Sequence, residues 1–377
     1  MKVEFYYRRV LIVVTYHTMP RALSLLFLLV NRASVAAEVR GTAAPIYILD
    51  SSFPKVTAAW PPSGLDRPTG VAVVVSTTGD AEVHVAQRNA SLPFVYVFNH
   101  DGDVIRTWGS ATGPDAIVSP HGLYGQNTKT VWLADISGAT VREYSSTGAL
   151  LGEVGTPGKP GAGLAPPQFS AAADVAVDAV GGRVFISDGD GGSNNRVLVL
   201  EHANLSHVLL HVGGAGATPG KLSSPHSVAW HVASGTFWVA DRGNTRIQVF
   251  DGATGAVAGE WTAADCFPGG APWGIRFDAT RGRVLVADGT IGALYVLSIP
   301  TSPQASVRTG LRGTGATATD SLPTALGPCV LLQNISIGVA LVPHEIAIDD
   351  ATGDVYVVGV GKPPLVVRFT LAPASTV

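Results

Sequence analysis

Residues 224–250 read SPHSVAWHVASGTFWVADRGNTRIQVF, and this stretch decides the fold. It holds three short apolar runs: Pro225–Ala229, Phe237–Asp241 and Arg246–Phe250. Each is rich in β-branched or aromatic residues and bounded by Gly, Ser, Asn or Asp, so each reads as a strand. The same order recurs along the chain: an apolar strand, a turn, a strand closing on Ala-Asp or Ser-Asp, a polar loop, a third strand. Its second strands are Val83–Arg88, Val131–Asp135, Val184–Asp188, Phe237–Asp241, Val284–Asp288 and Val355–Val358. Repeats near 45 residues, each a small antiparallel sheet, cannot bury both faces alone and must stack on neighbours. The expected fold is all-β, a six-bladed β-propeller over 46–371.

Fourth, outer strands are expected in several units, such as Val104–Trp108 and Val257–Trp261. The last unit lacks one before the chain ends. Tyr47–Phe53 or Lys55–Trp60 is expected to supply it and close the ring. Residues 301–337, rich in Ser, Thr, Gly and Ala, read as a long loop between units five and six.

Composition agrees. The chain has 377 residues, 46% hydrophobic and 14% charged, with 44 Gly and 25 Pro. That suits many short strands joined by tight turns. Residues 1–36 carry five Lys/Arg and one Glu, so the formal charge falls from −3 to −7 without them. No basic stripe is present, which argues against a nucleic-acid partner.

Residues 1–36 read as a leader, with uncleaved anchoring by the first 30 residues as the alternative. Arg21 precedes the apolar run Ala22–Val30, and Ser34-Val35-Ala36-Ala37 supplies a small-residue cleavage site. Met19 is a second plausible start, leaving 1–18 as an upstream extension. The run is too short to predict a transmembrane span. Sequons at Asn89, Asn204 and Asn334 fit a secreted or lumenal glycoprotein. The two cysteines, Cys266 and Cys329, either pair as a loop staple or stay free.

Three Pro-His pairs mark the candidate site: Pro120-His121, Pro225-His226 and Pro343-His344. They occupy one phase of the repeat and lie 105 and 118 residues apart, about two repeats each time. On alternate blades they bring three imidazoles to the axis. Three neutral imidazoles leave a divalent metal one open position, as catalytic zinc sites do. The alternative is that each Pro-His serves turn chemistry. Trp132, Trp238 and Trp273 read as interblade packing.

Val239–Phe250 resembles an NHL repeat, and the likeness extends over about 66–371. Within that class the Pro-His positions resemble the lyase of peptide amidation, peptidyl-α-hydroxyglycine α-amidating lyase. The resemblance implies zinc on His121, His226 and His344, and a substrate-binding or catalytic Arg88 and Arg242. It implies structural calcium held by the backbone oxygens of Val71 and Leu123 and the Glu345 carboxylate. The implied reaction converts a peptidyl-α-hydroxyglycine, or a related small α-hydroxy amide, to an amide and glyoxylate. A separate peptidylglycine monooxygenase would supply that substrate.

The family's catalytic Tyr follows Ser-Asp-Gly in unit three. Here the loop Ser187–Arg196 has no Tyr, and Asp190 holds the nearest place. Asp190 or a metal-bound hydroxide would then have to serve as base. The loop 188–195 also resembles a calcium loop, with a plain glycine-rich turn as the alternative. Arg88 and Arg242 have interblade ion pairing as theirs. For the whole chain the second reading is a secreted, non-catalytic propeller that binds a protein or small ligand.

Overall fold

The computed structural model describes residues 2–7, 10–15 and 46–373, except 56, 58–59, 62–63, 77, 127 and 301–325. The apolar run and cleavage site read as a leader lie outside the described residues. Lys2–Tyr7 and Val10–Thr15 pair as an antiparallel hairpin. Among the described residues, no helix is long and apolar enough to cross a membrane.

Six four-stranded antiparallel sheets follow. Their innermost strands are Gly70–Val75, Pro120–Tyr124, Ala172–Asp178, Pro225–His231, Gly274–Asp278 and Pro343–Ile348, which define blades one to six. Each inner strand packs against the next, and the sixth meets the first. Tyr47–Asp50 pairs with Leu365–Leu371 as the outer strand of blade six. Of the two segments proposed to close the ring, the earlier does so.

The outer strand of blade five is Val330–Ser336, paired with Ala293–Ser298. The stretch read as a loop over 301–337 therefore contains a strand. Cys266 and Cys329 form a disulfide with Cα atoms 5.6 Å apart. It ties the short helix after blade four, Ala263–Cys266, to the entry of that strand.

Inner and second strands are buried on both faces, which is why they read as continuous apolar runs. Outer strands such as Asn204–Gly213 largely alternate. Clusters such as Ala176, Phe185, Val197, Val228, Phe237 and Phe250 fill the space between two blades.

The Asp that ends the second strand in blades two to five has a structural task. Asp135 accepts the Val118 and Ser119 amides at 2.8 Å, and Asp241 accepts the Ser223 amide at 2.7 Å. Both carboxylates are wholly buried. Each satisfies backbone donors in the segment leading to a Pro-His pair and fixes where that pair starts. The residue before the proline has left-handed backbone in blades four and six, Ser224 at φ 48° and Val342 at φ 46°. Such conformations are uncommon outside glycine, and rarer still for a β-branched residue such as Val342.

Candidate metal centre

His121, His226 and His344 stand second in the inner strands of blades two, four and six, and they converge on the axis. All three are buried, and their ligand atoms lie within 4.8 Å of one another. Each ring is held by the neighbouring blade. His121 Nδ1 donates to Ala173 O at 2.8 Å, His226 Nδ1 to Trp273 O at 2.8 Å, and His344 Nδ1 to Thr69 O at 2.7 Å. A carbonyl can only accept, so each Nδ1 carries the hydrogen. In the neutral rings each Nε2 then offers a lone pair to the centre. This is the arrangement that orients histidines for a metal.

His226 Nε2 lies 3.2 Å from His344 Nε2. Two lone pairs at that distance repel unless a cation stands between them. Burial pushes both imidazoles well below their usual range, so a metal would meet neutral ligands at neutral pH. Gly122 permits the closeness. A Cβ there would meet Ala173 O at 2.5 Å and the Asp174 carboxylate at 2.6 Å.

Asp190 also reaches the centre. Its Oδ2 is 3.1 Å from His121 Nε2 and 3.8 Å from His226 Nε2, and its Oδ1 accepts from the Arg242 guanidinium. Burial alone would raise its carboxyl, but with the histidines neutral the Arg242 guanidinium is the positive charge beside it that lowers it. The loop 188–195 is a pinned glycine-rich turn that aims this carboxylate inward. Arg242 lies 4.5 Å above the Trp273 ring. Arg88 Nε donates to Pro120 O at 3.0 Å, while one of its terminal nitrogens is buried without a partner. Burial, then the nearby Arg67 charge, depress its pKa.

Trp273 departs from its reading as packing alone. Its carbonyl fixes His226, its ring carries Arg242, and its ring centroid lies 5.4 Å from His226 and 5.6 Å from His344. Thr69, Ala173 and Trp273 act through backbone carbonyls, which every residue has, so side-chain identity gave no signal. Their shared position before or within the inner strands of blades one, five and three was the available clue.

Below the histidines, Glu345 is fully buried and both its carboxylate oxygens lack a hydrogen bond. Burial, then Asp174, push its pKa well above the usual range. Arg276 is the neighbouring cation, 3.5 Å from Glu345 Oε2, and it also donates to Leu123 O at 3.3 Å. Val71 lies in the inner strand of blade one. One guanidinium serves two buried carboxylates, Asp174 and Glu345. The unbonded Glu345 oxygens are of the kind a calcium ion takes, although Arg276 already draws on Leu123 O and faces Glu345.

Fold and site together define a six-bladed propeller with a histidine-lined axis. The NHL repeat pattern matches residues 222–250. NHL repeat-containing protein 3 of Mus musculus is 34% identical over 325 residues, covering 84% of this chain and 82% of that protein. The Homo sapiens protein of the same name is 34% identical over 323 residues, with the same coverage. The chain belongs to the family of NHL repeat-containing protein 3. A shorter match, 29% identical over 156 residues, links it to peptidyl-glycine alpha-amidating monooxygenase B of Xenopus laevis. That match covers 38% of this chain and 16% of the other.

Proposed function

We propose that this propeller binds zinc through His121, His226 and His344 and cleaves peptidyl-α-hydroxyglycines to a peptide amide and glyoxylate. The supporting observation is the set of three Nε2 lone pairs turned to one point by backbone carbonyls. Bound zinc would supply a Lewis acid that lowers the pKa of a substrate hydroxyl. Arg88, with an unpartnered buried N–H, and Arg242 would fork onto the substrate carboxylate. The hydroxyl proton must leave as the carbon–nitrogen bond breaks, and the departing amide nitrogen must gain one. The Asp190 carboxylate is the chain's proton carrier at that place. Purified protein loaded with zinc is expected to release glyoxylate from a peptidyl-α-hydroxyglycine. No release from protein with metal bound would reject the activity.

The Asp190–Arg242 pair favours a second reading, a propeller that binds ligands without catalysis. It already fills the place where a substrate carboxylate would sit.

We assign the second ion, calcium, to Glu345, Leu123 O and Val71 O, on the strength of the orphaned Glu345 oxygens. Calcium is then expected to raise the melting temperature of the wild-type protein and leave Glu345→Gln unmoved. Equal melting with calcium and with chelator would reject the ion.

We also assign the chain to the secretory pathway, a reading supported by its disulfide and by the exposed Asn204 sequon at a hairpin turn. Protein collected from the medium of expressing cells is expected to shift in mobility on endoglycosidase treatment. Retention of all the protein inside the cytosol, unglycosylated, would refute that assignment.

A further inference from the structure

We propose that Asp190 is the fourth protein ligand of the metal, closing the three-histidine set with a carboxylate. The proposal rests on the metal reading above and specifies it. His121 carries its hydrogen on Nδ1, so in the neutral ring Nε2 and Asp190 Oδ2 are two acceptors 3.1 Å apart. An acceptor pair this close needs a positive particle between its members, and the same is true of His226 Nε2 and His344 Nε2 at 3.2 Å. A tetrahedral zinc set with bonds of about 2.0–2.1 Å places its donor atoms about 3.3 Å apart. The 3.1 Å from Asp190 to His121 lies near that edge length, while the 3.8 Å to His226 and the spread of up to 4.8 Å among the histidines are wider and would close around an ion. One metal ion would then satisfy the facing acceptors together. A proton on His121 would reconcile only its contact with Asp190.

The loop is built to hold the carboxylate there. Gly189 N donates to Ala171 O at 2.9 Å, and Asn194 Nδ2 donates to Asp188 Oδ2 at 2.7 Å. Asn195 Oδ1 accepts the Ser224 amide at 2.8 Å, two residues before His226, so the end of the Asp190 loop is tied to the start of the His226 strand. A Cβ on Gly189 would meet the Asn195 Cα and the Pro225 ring at 2.8 Å. Arg242 takes the second carboxylate oxygen and orients the first.

Asp190 thereby copies a ligand carboxylate, with one oxygen toward the metal and one on arginine. In the lyase reading a substrate would have to displace this carboxylate from the centre, which would free it to take the hydroxyl proton. A free carboxylate such as glyoxylate gains the centre only where Asp190 is absent. The test uses cobalt(II) as a spectroscopic substitute for zinc, in the full chain, with glyoxylate as the carboxylate probe. Wild-type protein is expected to give a cobalt spectrum that millimolar glyoxylate leaves unchanged. Asp190→Ala is expected to change that spectrum, to weaken metal binding by more than about 100-fold, beyond the loss of a residue that only orients a ligand, and to respond to glyoxylate. Asp190→Asn keeps the loop's shape, guards against misfolding, and should show an intermediate loss. An Asp190→Ala spectrum and affinity equal to wild type would overturn the fourth ligand while leaving the histidine site intact; Asp190 would then be the ion-pair partner of a protonated His121. Absence of cobalt or zinc binding by the wild type would overturn the metal reading and this proposal with it.

Discussion

His226→Ala is expected to strip the protein of zinc and to abolish glyoxylate release in the same step. The ring meets both other acceptors nearest it in the centre. It faces His344 at 3.2 Å, approaches Asp190 at 3.8 Å, and is anchored on Trp273 O. Loss of residues that only orient metal ligands costs about 10–100-fold in affinity, so loss of a direct ligand should exceed about 100-fold. Metal content after dialysis, measured beside glyoxylate release, checks both halves. His231→Ala is the control. His231 is also a buried histidine on the same inner strand, but it bonds Ser234 away from the axis. It should keep its metal. Full zinc content and activity in His226→Ala would end the metal reading.

The fold was legible because propeller chemistry repeats. Each blade needs an apolar inner strand, a second strand and a turn, and the Ala-Asp ending recurs because Asp135, Asp188, Asp241 and Asp288 each fasten loop amides. The three histidines were legible for a related reason. A residue at one phase of the repeat reaches the axis in every blade, so periodic spacing becomes convergence in space. Val330–Ser336 was not legible. It pairs with Ala293–Ser298 across more than thirty intervening residues, and no tight turn announces the pairing. Asp190 was placed near the site by likeness to a family loop, yet its double contact with His121 and Arg242 depends on the Asn195–Ser224 bond between blades three and four. Spacing along the chain contains no such information.

Arg276→Met is expected to cost the largest share of stability of any single substitution in the ring, about 3–5 kcal/mol. The signal in the sequence was a charge inside an apolar strand, Gly274–Asp278. The side chain turns to the axis and is buried, forking onto Asp174 at 2.8 and 2.9 Å. Ser227 Oγ, Leu123 O and Glu345 are its other neighbours, so one guanidinium joins blades two, three, four, five and six. Removing one partner of a buried ion pair leaves the other charge uncompensated, and that loss typically reaches the magnitude given. Denaturant unfolding measures it, and a change below about 1 kcal/mol would show that the fork is not a stabilising hub. The same variant also probes the calcium assignment. With the guanidinium gone, Asp174 and Glu345 face each other without a resident positive charge, and Leu123 O is released. Calcium should therefore stabilise Arg276→Met more than it stabilises the wild type, because guanidinium and ion draw on the same buried oxygens.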